Sequence, residues 1–186
     1  DAYSVDRTAG SNPIRQPLTN LNDAGQLYGP IIYEKAPIVM RQLEMIVGEQ
    51  PFRDGAREYL KKYAFGNATW LDLIRILDAK TPDNLAAWSR AWVEERGRPE
   101  FTTAVRTTKN NTIERLTITM NDPLRRRLIW PQRMRITLGY ADHQQDVSVY
   151  ANGRETIVRE AAGLPKPLFV LPNGGGLAYG LFLLDE

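Results

Sequence analysis

Cysteine is missing from this sequence, and histidine occurs once, as His143. Without cysteine there is no disulfide, no thiolate nucleophile and no Cys-ligated metal, and the redox compartment stays open. One histidine cannot supply a two-histidine zinc site of the H-E-x-x-H kind. The serines, Ser4, Ser11, Ser89 and Ser148, all stand outside any G-x-S-x-G elbow. Gly174-Gly175-Gly176 lacks the Lys-Ser/Thr that completes a phosphate-binding loop, and reads as a turn. No apolar run approaches the roughly 20 residues of a membrane span, and no signal peptide is visible. Charge of one sign is scarce too: 24 basic side chains face 22 acidic ones, net +2. Residues 1–99 carry 13 of each, and residues 100–186 carry 11 basic and 9 acidic. Neither half has the basic excess that nucleic-acid binding requires. Alone, the chain carries no complete common catalytic site.

What is present suits a folded chain. The 186 residues are 42% hydrophobic and 25% charged, which excludes disorder and allows one domain or two small ones. The first residue is Asp1 rather than Met, which suggests a processed chain or a piece of something longer.

Residues 1–30 are dense in turn signals and predict irregular structure, with a short helical turn at 23–28. Residues 36–97 carry a helical period. The first helix has Pro37 at its start and Gly48 at its end. The second runs from Pro51 to Gly66. The third opens on Thr69-Trp70-Leu71-Asp72, a capping box in which hydroxyl and carboxylate satisfy each other's backbone N–H. The fourth opens at Thr81-Pro82 and ends at Gly97. Trp70, Trp88 and Trp92 at helical spacing read as core.

After Pro99 the period falls to two. Strands are expected at 112–120, 133–140, 145–150, 155–159, 168–171 and 177–184, with Asn152-Gly153 as a two-residue hairpin turn. The polar stretch 102–111 reads as the linker between the halves and the interior segment most sensitive to proteases. The fold class is α+β: a helical array over 1–99, then a small antiparallel β-sandwich over 100–186.

One motif carries a resemblance. Tyr33 lies in Ile31-Ile32-Tyr33-Glu34-Lys35-Ala36-Pro37, just before an apolar helix. Tyr-Glu-Lys followed by a small residue is similar to the stretch downstream of the zinc site in the aminopeptidase N family of gluzincin metallopeptidases. Asn12-Pro13-Ile14 resembles that family's His-Pro-Ile. Met40-Arg41-Gln42-Leu43-Glu44, then Phe52-Arg53-Asp54-Gly55 with Tyr59-Leu60-Lys61-Lys62-Tyr63, resemble its next two helices. Asn67-Ala68-Thr69 with Asp72-Leu73, and Trp92-Val93 with Gly97 and Pro99, continue the match. Trp130-Pro131, Leu171-Pro172-Asn173, Gly176 and Tyr179-Gly180 resemble the small β-sandwich domain that follows. Ala36 stands where the family usually has Gly, and Pro37 is rare there.

The resemblance implies a thermolysin-like catalytic domain whose C-terminal, helical part is residues 1–99. It implies a zinc ion held by H-E-x-x-H and a later glutamate, the motif's glutamate activating the water that attacks the N-terminal peptide bond. Those ligands would lie upstream of this chain. It also implies that Tyr33 donates a hydrogen bond to the oxyanion of the tetrahedral intermediate, a task that suits a neutral phenol at pH 7. The parent would be a zinc-dependent metalloaminopeptidase, a hydrolase removing N-terminal residues from peptides. The missing zinc-binding part of the same protein would be this chain's partner, and the sandwich a spacer. The chain by itself should hold no catalytic zinc and cleave nothing. The alternatives are a non-enzymatic protein-interaction module and a catalytically inactive peptidase relative.

Elsewhere the residues read plainly. Glu34 and Lys35 read as a solvated or locally paired charge couple. His143 is a surface histidine in a loop, and Arg125-Arg126-Arg127 is a solvated loop. Asn67-Ala68-Thr69 and Asn110-Asn111-Thr112 match the glycosylation sequon, without any sign of a secretory route.

Overall fold

A computed structural model describes residues 1–8 and 10–184. Ala9 and residues 185–186, the end of the expected sandwich, lie outside the described residues. The chain folds as two compact units: residues 12–96, and residues 1–11 together with 97–186. The sequence reading grouped residues 1–11 with the helices. They pack instead with the second half of the chain, because their helix α1 (Ala2–Asp6) buries Ala2 and Asp6 there.

The unit of residues 12–96 is helical. A 3-10 turn (Leu21–Leu27) is capped by the Asn20 side chain, which accepts from the Asn22 N–H. A π-helical turn (Ile31–Lys35) leads directly into α2 (Ala36–Val47), with Pro37 in its first turn. Gly48, at φ +94°, ends α2 and starts α3 (Glu49–Lys62), a backbone conformation that L side chains avoid. The helix α4 (Trp70–Asp78) opens on the expected capping box: Thr69 Oγ1 accepts from Asp72 N–H, and Asp72 Oδ2 accepts from Thr69 N–H at 2.9 Å. The Thr69 hydroxyl, donating to Asp72 Oδ2 at 2.7 Å, and then the Thr69 N–H hold the Asp72 carboxyl below the ordinary carboxylate range.

Helix α3 packs on α4, and α4 on α5 (Leu85–Ser89). Gly55 allows the first contact, since a Cβ there would stand 2.5 Å from Leu77 Cδ2. The fourth helix starts later than Thr81-Pro82. Thr81 Oγ1 accepts from Asp83 N–H in a local turn, Asp78 caps Leu85 N–H, and Asn84 is the N-cap. A second π-helical turn (Arg90–Glu94) ends the unit. Trp88 and Trp92 are in its core, while half-buried Trp70 donates from Nε1 to Ser89 Oγ at 2.8 Å.

The other unit is built on two sheets. In the first, the strand order is β5 (Glu155–Ile157), β2 (Ile113–Asn121), β1 (Glu100–Thr107), β7 (Leu181–Leu183). In the second it is β4 (Gln144–Ala151), β3 (Gln132–Gly139), β6 (Phe169–Leu171). All pairings are antiparallel except β1 with β7, which is parallel. The core takes Phe101, Leu116, Ile118 and Met120 from one sheet and Met134, Ile136, Leu138 and Val147 from the other.

Two expectations fail here. Residues 102–111 are not a linker: Phe101 and Thr103 are buried on β1, an interior strand of its sheet. The β-forming threonines supply strand, with a buried hydroxyl where an aliphatic group was expected. Asn152-Gly153 does make a turn, but no hairpin, because β4 and β5 belong to different sheets.

A polar cluster ties the first residues to this unit. Ser11 Oγ donates to Asp6 Oδ1 at 2.6 Å, and Gly97 N–H reaches Asp6 Oδ1 at 3.2 Å and Ser11 Oγ at 3.1 Å. Tyr179 Oη donates to Asp6 Oδ2 at 3.1 Å. The Tyr179 ring stacks on Tyr3 at 4.7 Å, and the Arg98 guanidinium lies over Tyr3 at 5.8 Å.

Candidate functional site

The π turn before α2 is built from its hydrogen bonds. Ile32 and Tyr33 N–H groups bond to Gly29 O at 3.0 and 3.1 Å, and Ala36 N–H bonds to Ile31 O, five residues back. A turn of that spacing is rare and often marks a functional position. Ile31 and Lys35 face inward and are buried. Tyr33 faces outward and is 66% exposed. Its ring lies 6.0 Å from that of Tyr28, itself exposed, at an interplanar angle of 45°. A phenol so placed can donate or accept a hydrogen bond with a molecule arriving from solvent.

Glu34 and Lys35 part company. Glu34 is exposed, whereas Lys35 is fully buried. The solvated reading therefore fails for Lys35, which sits on the face that α2 turns to the core. Sequence periodicity held the signal: Lys35 stands four residues before Val39 and four after Ile31.

The remaining candidates lie in the other unit. His143 stacks on Tyr140 with centroids 4.7 Å apart, and its Nδ1 is 2.7 Å from Asp142 Oδ1. That hydrogen bond, first, and the His143 charge hold the Asp142 carboxyl below its usual range. Arg126 turns onto Asp122, with Nε and Nη2 at 3.2 and 3.1 Å from its oxygens. Burial alone would raise the Asp122 carboxyl, but the hydrogen bonds and charge of Arg126 outweigh it and lower the pKa. Arg125 and Arg127, at φ +57° and +62°, stay exposed. Among the described residues no three His, Cys, Asp or Glu side chains cluster as metal ligands. The described residues therefore do not by themselves fit a zinc site. Nor, among the described residues, is any helix long and apolar enough to cross a membrane.

Comparison with known proteins places the chain in a family. Residues 1–92 match the model of the peptidase family M1 domain. Aminopeptidase N of Streptomyces lividans is 28% identical over 197 aligned positions that take in 100% of this chain and 23% of that protein. The puromycin-sensitive aminopeptidase of Caenorhabditis elegans is 30% identical over 109 positions, 59% of this chain and 12% of its own length. The crystal structure of Legionella pneumophila aminopeptidase A superposes with a TM-score of 0.63 at 17% identity, over 94% of this chain and 20% of that one. This likeness supports the α+β fold of helices and small sheets. The chain thus spans about a quarter or less of the relatives it matches. With the M1 domain model matching residues 1–92 and aminopeptidase N of Streptomyces lividans aligning along the whole chain, the chain belongs to the aminopeptidase N family, peptidase family M1.

Proposed function

We propose that this chain is the part of a zinc-dependent metalloaminopeptidase that follows the zinc ligands, and that Tyr33 is its oxyanion donor. The observation that carries the reading is the exposure of Tyr33 on the π turn before α2. Within these 186 residues its ring and hydroxyl stay open to whatever meets this face, substrate included. In the family, zinc supplies the activation of water, and that chemistry belongs to residues outside these 186.

Tyr33 would act on the substrate carbonyl. As water adds, the carbonyl oxygen gains negative charge, and a phenol O–H already aimed at that point binds the charge more tightly than the neutral carbonyl. A turn held in place before substrate arrives would keep the reorganisation in that step small. The substrate would be a peptide with a free N-terminus, and the partner of this chain the zinc-binding part of the same protein. Residues 12–96 would close the catalytic domain, and the two-sheet unit would act as a spacer. The isolated 186 residues would be inactive.

The test is Tyr33→Phe in the parent protein. The expected outcome is a fall in kcat of roughly 10²–10³-fold, the loss for one oxyanion donor. KM should stay within about twofold, because the bond belongs to the transition state. Zinc content and melting temperature should match wild type. Near-normal kcat at normal zinc and stability ends the catalytic reading of Tyr33.

A further inference from the structure

The core stripe that runs through the π turn and α2 contains a residue that apolar periodicity does not ask for. Ile31, Lys35, Val39, Leu43 and Ile46 follow one another at three- and four-residue spacing, and all five are buried. The second of them is a lysine at 0% exposure. An ammonium out of water is costly unless partners hold it in a set geometry, whereas an aliphatic side chain at the same place carries no such cost. Breaks of a local rule of this kind concentrate where function sets the residue.

The neighbourhood says what Lys35 does. Tyr33 is two residues earlier, and residues two apart on a helical turn point to opposite sides. One is fully inside and the other mostly outside. The turn between them is a π turn, looser by one residue than the α-helix it enters. Apolar contacts at Ile31 are non-directional and tolerate small rotations of such a turn. A buried ammonium does not, because the polar contact that stabilises it out of water is directional.

We propose that Lys35 is the positioning residue of this site: anchored inside the unit, it sets the rotation of the π turn and so the direction in which the Tyr33 hydroxyl leaves it. The proposal rests on the reading of Tyr33 as oxyanion donor. Lys35 itself does not touch substrate, since its side chain is turned into the core. A displacement of the donor by a fraction of an ångström weakens a bond that exists only in the transition state, so kcat suffers and KM does not.

The experiment compares Lys35→Met, Lys35→Arg, Tyr33→Phe and the Lys35→Met/Tyr33→Phe double variant in the parent protein. Readouts are kcat, KM, melting temperature and amide hydrogen exchange of the peptide spanning 29–40. Lys35→Met keeps length and volume but not the charge. Its kcat should fall roughly 10- to 100-fold at unchanged KM, its exchange over 30–36 should quicken at least about tenfold, and it should cost nothing further in the Tyr33→Phe background. If Lys35→Met does not fold, Lys35→Arg decides: it keeps the charge and moves it, so kcat should fall about tenfold with KM and melting temperature unchanged. Wild-type kcat in a folded Lys35 variant, or full additivity in the double variant, overturns the positioning role. If Tyr33→Phe keeps its kcat, the oxyanion reading fails by itself. Exchange then decides for Lys35, and unchanged protection in the folded variant overturns the anchor.

Discussion

Two tyrosines set the two units apart. Tyr33 in the helical unit shows two-thirds of its surface, and its ring lies beside another exposed ring, Tyr28. Tyr179 in the two-sheet unit is 1% exposed, stacked on Tyr3 and donating to the Asp6 carboxylate. Burial, then the charge and the hydrogen bond of Asp6, push the Tyr179 phenol far above its ordinary value of 10.0. The same side chain is held neutral and immobile in one unit and left open to solvent in the other. Loss of the hydroxyl should therefore read out as stability in one unit and as rate in the other.

The largest effect tests the exposed member. Tyr33→Phe should remove roughly 10²–10³-fold of kcat in the parent and leave its unfolding midpoint unchanged; a lower midpoint would erase the contrast. Next comes Asp6→Ala, which leaves the donors of Ser11, Gly97 and Tyr179 without their carboxylate. It should cost about 3 kcal/mol in urea unfolding. A loss below about 1 kcal/mol would mean that this cluster does not hold residues 1–11 to the sheets.

Tyr179→Phe should cost about 1.5 kcal/mol, the worth of one hydrogen bond to a charged group, with kcat preserved. It also has a pH signature. The folded-state pKa lies above the unfolded one, so the phenol's contribution is complete below pH 10 and is lost as pH rises further. Alkaline titration above pH 10 should destabilise wild type more steeply than Tyr179→Phe, and equal slopes would exclude the buried phenol. The smallest effect is Thr69→Ala, about 1 kcal/mol for the lost N-cap of α4. Thermal unfolding that shows no loss would mean the box frays in solution.

The sequence made some of this plain and hid the rest for physical reasons. Local chemistry could be read: Thr69 with Asp72 as a capping box, Gly48 as a helix end, Pro37 in a first turn. Each depends on backbone groups within four residues. Strand β1 was hidden because Thr103 fills a core position that pattern reading reserves for aliphatics. Asn152-Gly153 was recognised as a turn, but a turn does not name the strand its exit will pair with. The Asp6 cluster joins residues up to 173 apart, and no local signal announces it. The string around Tyr33 made the family legible; the burial of Lys35 was masked by its charge, although its spacing to Ile31 and Val39 was in plain view.

The Asp6–Tyr179 bond also has a consequence for how the chain is born. A ribosome adding about 5–20 residues per second needs roughly 10–35 s to make the 173 residues between the two partners. During that time the contacts within residues 12–96, mostly between successive helices, can form. Residues 1–11 have no such option. Their anchor is made last, so Ala2 and Asp6 stay open to solvent and to chaperones until translation has passed Tyr179. Within these 186 residues, the segment made before all the others is thus among the last to reach its place.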